Sequence, residues 1–244
     1  MSAFVLTNAK VMYGDRDLSG FLNRIALTGE VDLQENNTFG ATGNYKTRLP
    51  GLFNSSMDMN GYWESAGAAD SIDSDLFGKI GAVSALISIS AEGATVGDNG
   101  FSLEADAASY VPGASLGEIF AFNITVQGNG PLLRGLVMEN VARTTTANGA
   151  AKQVGAVTAT QKVYSAIHAT TVSGTTPTLD VTVESDNAEG FSSPVTRITH
   201  TRLTAVGSEL LSASGAITDD WWRLVMTIGG TTPSFTIFGV VAIL

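Results

Sequence analysis

Alternation of apolar and polar residues with a period of two runs through most of this chain and directs it towards a mostly β fold. In LNRIALTGEVDLQ, residues 22–34, Ile25, Leu27, Val31 and Leu33 fall on one side, opposite Arg24, Thr28, Glu30, Asp32 and Gln34. FAFNITVQ repeats the pattern with Phe120, Phe122, Ile124 and Val126 against Asn123, Thr125 and Gln127, and TLDVTVES with Leu179, Val181 and Val183. Such alternation marks half-buried antiparallel strands. Short strands parted by Gly, Asn and Ser clusters point to sandwiches or barrels.

One helix is predicted over residues 71–80. Asp70 or Ser71 can cap it, Asp73 sits in its first turn, and Ile72, Leu76, Phe77 and Ile80 fall on one face before Gly81. The aperiodic run ENVARTTTANGAAKQVG, residues 139–155, predicts a boundary. It separates a β domain over 1–145 from a C-terminal β-sandwich over 146–244, where at least five strands are expected. The last of these, PSFTIFGVVAIL, is apolar on both faces, as a strand buried in a sheet centre or an interface must be.

Only 15% of the residues are charged, against about 25% in ordinary soluble domains. A surface largely covered by other subunits explains that deficit. The net charge is −10, and residues 1–150 carry 16 acidic against 8 basic side chains. Tight nucleic-acid binding needs a basic footprint that displaces counterions, and no such footprint is present. A surface past which DNA slides without sticking is compatible with this balance. The absence of cysteine excludes disulfides and thiolate metal sites. No signal peptide and no membrane span are expected from the hydropathy of the sequence.

The residues that could carry chemistry fail their contexts. Gly113-Ala114-Ser115-Leu116-Gly117 has the spacing of a nucleophile elbow, with Asp186 and His200 available downstream. That motif requires a strand before it and a helix after it, whereas a strand follows here. The glycines of QGNGPLLRG lack the third position and the helix of a dinucleotide loop. His168 and His200 are the two histidines and read as hydrogen-bonded strand residues, two ligands being too few for zinc. Glu184, Asp186 and Glu189 read as a solvated turn before a calcium loop. No metal or cofactor is expected, and no enzymatic activity. Trp221 and Trp222 must point to opposite faces of a strand, one into the core and the other towards an interface or a sugar.

The stretch NNTFGATGNYKTRLPGLFN, residues 36–54, is a long polar connection carrying Phe39, Tyr45, Lys46, Arg48 and Pro50. Loops beyond about 12–15 residues are uncommon in compact domains and are often functional.

Four short motifs, in this order and spacing, give the N-terminal part a family likeness: Asp17-Leu18-Ser19-Gly20, Thr38-Phe39-Gly40, Pro50-Gly51-Leu52 and Gly61-Tyr62-Trp63. Over residues 1–145 the chain resembles the tail tube (major tail) proteins of long-tailed bacteriophages. The resemblance implies a tail-tube-type β-sandwich or barrel whose copies close into rings, usually hexameric, that stack into a conduit for DNA. It implies a place in the virion tail after synthesis in the host cytoplasm, with other tail proteins as partners and DNA passing unbound. Glu30, Asp32, Glu35 and Asp58 are then the candidates for an acidic lumen, and residues 36–54 for the loop that reaches neighbouring subunits. Residues 152–244 resemble a β-sandwich module recurrent in phage structural proteins, placed here as an outer decoration. A capsid decoration protein, or a sugar-binding virion module using Trp221 or Trp222, are the competing readings.

Overall fold

The computed structural model describes residues 5–37, 45–64, 71–82 and 84–244. The chain divides into two compact units whose segments interleave: residues 1–20, 85–104 and 133–244 form one, residues 21–84 and 105–132 the other. This division differs from the expected cut near residue 145. The reason is sheet pairing, since strand β8 (Leu133–Arg143) forms a ladder with the last strand, β14 (Trp221–Ile243).

The smaller unit is an antiparallel sheet in the order β3 (Leu22–Glu35), β4 (Arg48–Tyr62), β7 (Ala121–Gly128) and the second half of β6 (Asn99–Gly113). Alternation sends Met57, Met59, Phe122, Ile124 and Val126 to the buried face. One short helix, α1 (Ile72–Gly78), belongs to this unit. Ser71 caps it by accepting from the Ser74 amide at 3.4 Å, and Asp73 and Asp75 occupy its first turn. Tyr110 of β6 donates to Asp73 at 2.8 Å, which ties helix to sheet. The buried stripe is narrower than predicted. Ile72 and Leu76 are buried, but Phe77 is 68% exposed, and Ile80, which lies beyond the end of the helix, is 42% exposed. Asp70, the other proposed cap, lies outside the described residues.

In the larger unit the ladder order is β12 (Val195–Thr199), β11 (Lys162–Asp186), β14, β8, the first half of β6, β5 (Ala85–Ser90), β1 (Lys10–Tyr13) and β2 (Arg16–Asp17). A further strand, β13 (Gly207–Ser214), pairs with the first part of β11. The sequence predicts four separate strands where the structure has two long ones. KVYSAIHATTV and TLDVTVESD are halves of β11, and DWWRLVMTI and PSFTIFGVVAIL are halves of β14. Each long strand is interrupted by the same four residues, Gly174-Thr175-Thr176-Pro177 and Gly230-Thr231-Thr232-Pro233, set against each other with shifts of register. Gly174 and Gly230 have φ near +114°, Thr176 and Thr232 near +48°. A Cβ on Gly174 would lie 2.7 Å from the Thr232 carbonyl oxygen, and one on Gly230 the same distance from that of Thr176. Paired bulges of this kind let a ladder turn a corner and continue in a second layer. Residues from both halves accordingly share one core, with Val163, Ile167, Phe235 and Ile237 meeting Val181, Val183, Trp222 and Leu224. The opposite face of the same strands is buried too, since Val137, Ala166, Phe238 and Val240 join Met12 and Leu86 in a second cluster. The doubly apolar C-terminal strand is therefore buried between two cores.

Candidate assembly surface

The sheet of the smaller unit has one polar face. Thr28 lies opposite Ser56, Ala26 opposite Asp58 and Arg24 opposite Asn60, and β7 continues these rows with Gln127, Thr125 and Asn123. Thr125 donates to Asp58 at 2.6 Å. Along β3 the same alternation puts Glu30 and Asp32 on this face, where Asn54 donates to Glu30 at 3.0 Å and Gln34 to Asp32 at 2.7 Å. Three of the four expected lumen carboxylates thus share a face. Glu35 has the opposite parity and sits at the end of the hairpin, where it accepts from Lys46 at 2.7 Å and lies 3.8 Å from Arg48. Lys46 and Arg48, both in the stretch that the resemblance assigns to contacts with neighbouring subunits, meet Glu35 within one chain. An exposed pair of this kind contributes under about 1 kcal/mol and is readily exchanged for another partner.

The stretch 36–54 is less of a loop than its composition suggests. Strand β4 begins at Arg48, and the ladder runs on through the Asn36 amide, which donates to the Thr47 carbonyl at 3.1 Å. Asn37 accepts from both the amide and hydroxyl of Thr47, at 2.9 and 3.0 Å. Pro50 lies opposite Leu33 beside a shift of register, a bulge being where a strand tolerates a residue without an N–H. Phe39 lies outside the described residues. Tyr45 is 88% exposed.

Beyond Ser55, β4 has lost β7 and pairs with β3 alone, so residues 30–35 and 48–54 form a two-stranded ribbon. All of these ribbon residues are exposed. Its apolar face carries Val31 against Phe53, and Leu33 against Pro50. The Phe53 ring folds across Gly29, where a Cβ would stand 3.2 Å from that ring and from the Leu132 side chain. A two-stranded ribbon is marginal by itself in water. Among the described residues β3 pairs only with β4, leaving the other edge of a 14-residue strand open.

The remaining predicted groups have structural partners. Asp17 accepts from the amide and hydroxyl of Ser19, at 3.0 and 2.6 Å, and from Lys10 at 2.5 Å, which closes the Asp-Leu-Ser-Gly turn over buried Leu18. Burial pushes the Asp17 carboxyl up, but those hydrogen bonds outweigh it and hold it below the usual range. Ser115 lies in the exposed turn between β6 and β7, apart from any histidine contact. His200 instead meets Ser165 at 2.9 Å through Nε2 and Glu209 at 2.9 Å through Nδ1. Ser165 is wholly buried, so this serine–histidine–carboxylate set holds strands together and offers nothing to a substrate. Glu184 pairs with Arg223, whose guanidinium lies 4.3 Å over the Phe191 ring, and Asp186 accepts from the amides of Ala188 and Ser193. Among the described residues no three His, Asp or Glu side chains form a metal-sized group. Trp222 is the core tryptophan, donating to the Gly155 carbonyl at 2.8 Å, while Trp221 is half-buried on the opposite side of the strand. The signal that sequence reading missed is the open ribbon, whose strand-like alternation was visible but whose lack of cover was not.

Neither a protein-family model nor a curated protein matches the chain. Several solved structures are similar to it. A chain of the virion of a native gene transfer agent particle shares 12% identity, covering 53% of this chain and 97% of its own, with a TM-score of 0.42. The Dit protein of SPP1, described as a paradigm of the hub adsorption apparatus in Gram-positive-infecting phages, shares 10% identity over 98% of this chain and 100% of its own, at 0.40. A chain from the sheath/tube terminator of an extracellular contractile injection system in the extended state shares 14% over 55% and 97%, at 0.44. With TM-scores below 0.5, these three likenesses carry no functional weight of their own.

Proposed function

We propose that this chain is a non-enzymatic structural protein of a phage tail or related injection tube, closing rings through the open edges of its smaller sheet. The observation that carries the reading is the four-stranded sheet β3–β4–β7–β6, polar on one face and apolar on the other, with β3 unpaired on its outer side. On the far side, β6 beyond Ala107 is paired with β7 alone among the described residues. Open edges invite pairing with another chain, and closure into a barrel removes them. Copies related by rotation join the β3 edge of one to the β6 edge of the next. Six copies contribute 24 strands; at about 4.8 Å between strands and a tilt near 40°, the backbone ring is roughly 40–50 Å across. The polar face with Glu30, Asp32 and Asp58 then lines the channel. Carboxylates repel phosphate over a Debye length of about 10 Å at 0.1 M salt, so DNA passes without sticking. The motif resemblance over residues 1–145 supports the same role, with the C-terminal residues 146–244 as an outer decoration and a location in the virion tail.

Electron microscopy of the purified protein tests this. Stacked rings or long tubes with a central channel are expected. Single rings that never stack indicate a hub in place of a tube. Discrete trimers that never close a channel indicate a capsid decoration protein and overturn the reading.

A further inference from the structure

Asn-Gly occurs four times in the chain, at residues 60–61, 99–100, 129–130 and 148–149. The fold treats one of these pairs differently from the other three. Gly61 lies in the ladders of β4 with β3 and β7, Gly100 in that of β6 with β8, and Gly149 donates its amide to the Leu224 carbonyl at 2.7 Å. All three of these glycines are buried. Asn129 and Gly130, from the QGNGPLLRG motif, lie in the turn between the end of β7 and the start of β8, and both are exposed. Among the described residues the Gly130 amide has no hydrogen-bond partner.

The Asn129 side chain has a structural task. Its Nδ2 donates to the Ser84 hydroxyl at 2.8 Å, and that hydroxyl donates to the Asp106 carboxylate at 2.6 Å. All three residues belong to the smaller unit. A serine has one hydrogen to give, and here Asp106 takes it. Ser84 therefore accepts from residue 129, which must be a donor for the turn to stay tied. An amide can fill that place and a carboxylate cannot.

We propose that Asn129-Gly130 is a self-modification site, at which the folded chain turns an amide into a carboxylate without enzyme or cofactor. Solvent base removes the Gly130 amide proton, and that nitrogen attacks Asn129 Cγ. The N–Cγ bond forms as the Cγ–Nδ2 bond breaks, and Nδ2 takes up a proton and leaves as ammonia. Water then opens the cyclic imide. Attack at Cγ gives aspartate; attack at the Asn129 main-chain carbonyl carbon gives isoaspartate, which lengthens the main chain by a methylene. The sum is amide plus water to carboxylate plus ammonium. Glycine matters because no side chain shields the attacking nitrogen. A glycine in a ladder reacts only after local opening, a free-energy cost that the open turn does not carry. The new carboxylate has no hydrogen for Ser84 and competes with Asp106 for the one that Ser84 gives, so the tie opens. The reaction needs a single folded chain and stands whatever the assembly.

Peptide mapping by mass spectrometry, on the purified full chain held at mildly alkaline pH, tests this. Asn129 should convert first, to a mixture of aspartate and isoaspartate, about tenfold or more ahead of Asn60, Asn99 and Asn148. Denaturing urea should bring the four rates together, because the ordering belongs to the fold. A lead held by any other pair, or an Asn129 lead undiminished in urea, overturns the proposal. Gly130→Val, at an exposed position outside the ladders, should suppress conversion at Asn129 and leave the other three pairs as they were. Conversion of Asn129 at the wild-type rate in that variant overturns it equally. The opening of the tie has its own readout. Asn129→Asp should exchange the backbone amides around Ser84 faster than the wild type in hydrogen–deuterium exchange, and wild-type exchange there overturns that consequence.

Discussion

His168 makes a sharp forecast about pH. Its ring is wholly buried, with Nδ1 2.7 Å from the Gly14 carbonyl and Nε2 2.8 Å from the Ser88 hydroxyl, which in turn lies 2.8 Å from that of Ser102. A carbonyl can only accept, so Nδ1 carries the proton, Ser88 donates to Nε2, and the neutral tautomer is fixed. A second proton would place a cation in the core with no carboxylate hydrogen-bonded to it. Burial therefore pushes the imidazole down to about 4, the Gly14 carbonyl opposing only in part. The unfolded chain takes up its proton near pH 6.5 and the folded one near 4, so between these values the unfolded state holds more protons. Stability from this group is complete above pH 6.5 and is lost as pH falls towards 4. At 1.36 kcal/mol per unit, lowering the pH from 7.5 to 5 removes about 2 kcal/mol. Urea unfolding followed by tryptophan emission, to which Trp221 and Trp222 in the same unit contribute, measures it. His168→Asn should flatten the dependence by about that amount whatever its absolute stability. An unchanged slope between pH 7.5 and 5 would refute the reasoning. His200 shifts in the same direction through burial, opposed by Glu209, and adds to the slope.

Four further outcomes follow from the geometry. Gly174→Ala or Gly230→Ala forces a Cβ to within 2.7 Å of a facing carbonyl oxygen at φ near +114°, and each should lower stability by about 1–3 kcal/mol in urea titrations. Thr176→Gly relieves a left-handed threonine at φ 49° and should be neutral or better in the same assay. Trp222→Phe forfeits the hydrogen bond to Gly155 and leaves a gap in the core, costing about 2–4 kcal/mol by calorimetry; Trp221→Phe should cost well under 1 kcal/mol. Deleting residues 40–48 should leave a subunit with native circular dichroism that no longer polymerises, and tubes of normal length from it would remove that stretch from the assembly.

Much of this architecture is legible in the sequence because a period of two has few physical solutions. The faces of β3, β4 and β7 follow from alternation, and the capping serine of α1 from its position before an acidic turn. The doubly apolar terminal strand announced its burial. What alternation cannot report is continuity: Gly-Thr-Thr-Pro reads as a turn, yet two copies facing each other make a corner inside a longer ladder. Nor can it report cover. Val31 and Leu33 continue the apolar row of Ile25 and Leu27, but the strands that bury the row end at Ser55, so the same pattern passes from core to open surface. Charge alone groups Glu35 with Glu30 and Asp32, while its odd parity along the strand puts it on the other face, against Lys46 and Arg48.

The central claim is that the sheet edges of neighbouring copies join with the polar face inward, and a reconstruction of the assembled particle at strand-resolving detail tests it most directly. The account predicts unbroken strand density at about 4.8 Å spacing from β3 of one copy to β6 of the next, with Asp58 directed into the channel. Separate four-stranded sheets with Asp58 on the outer wall would contradict it.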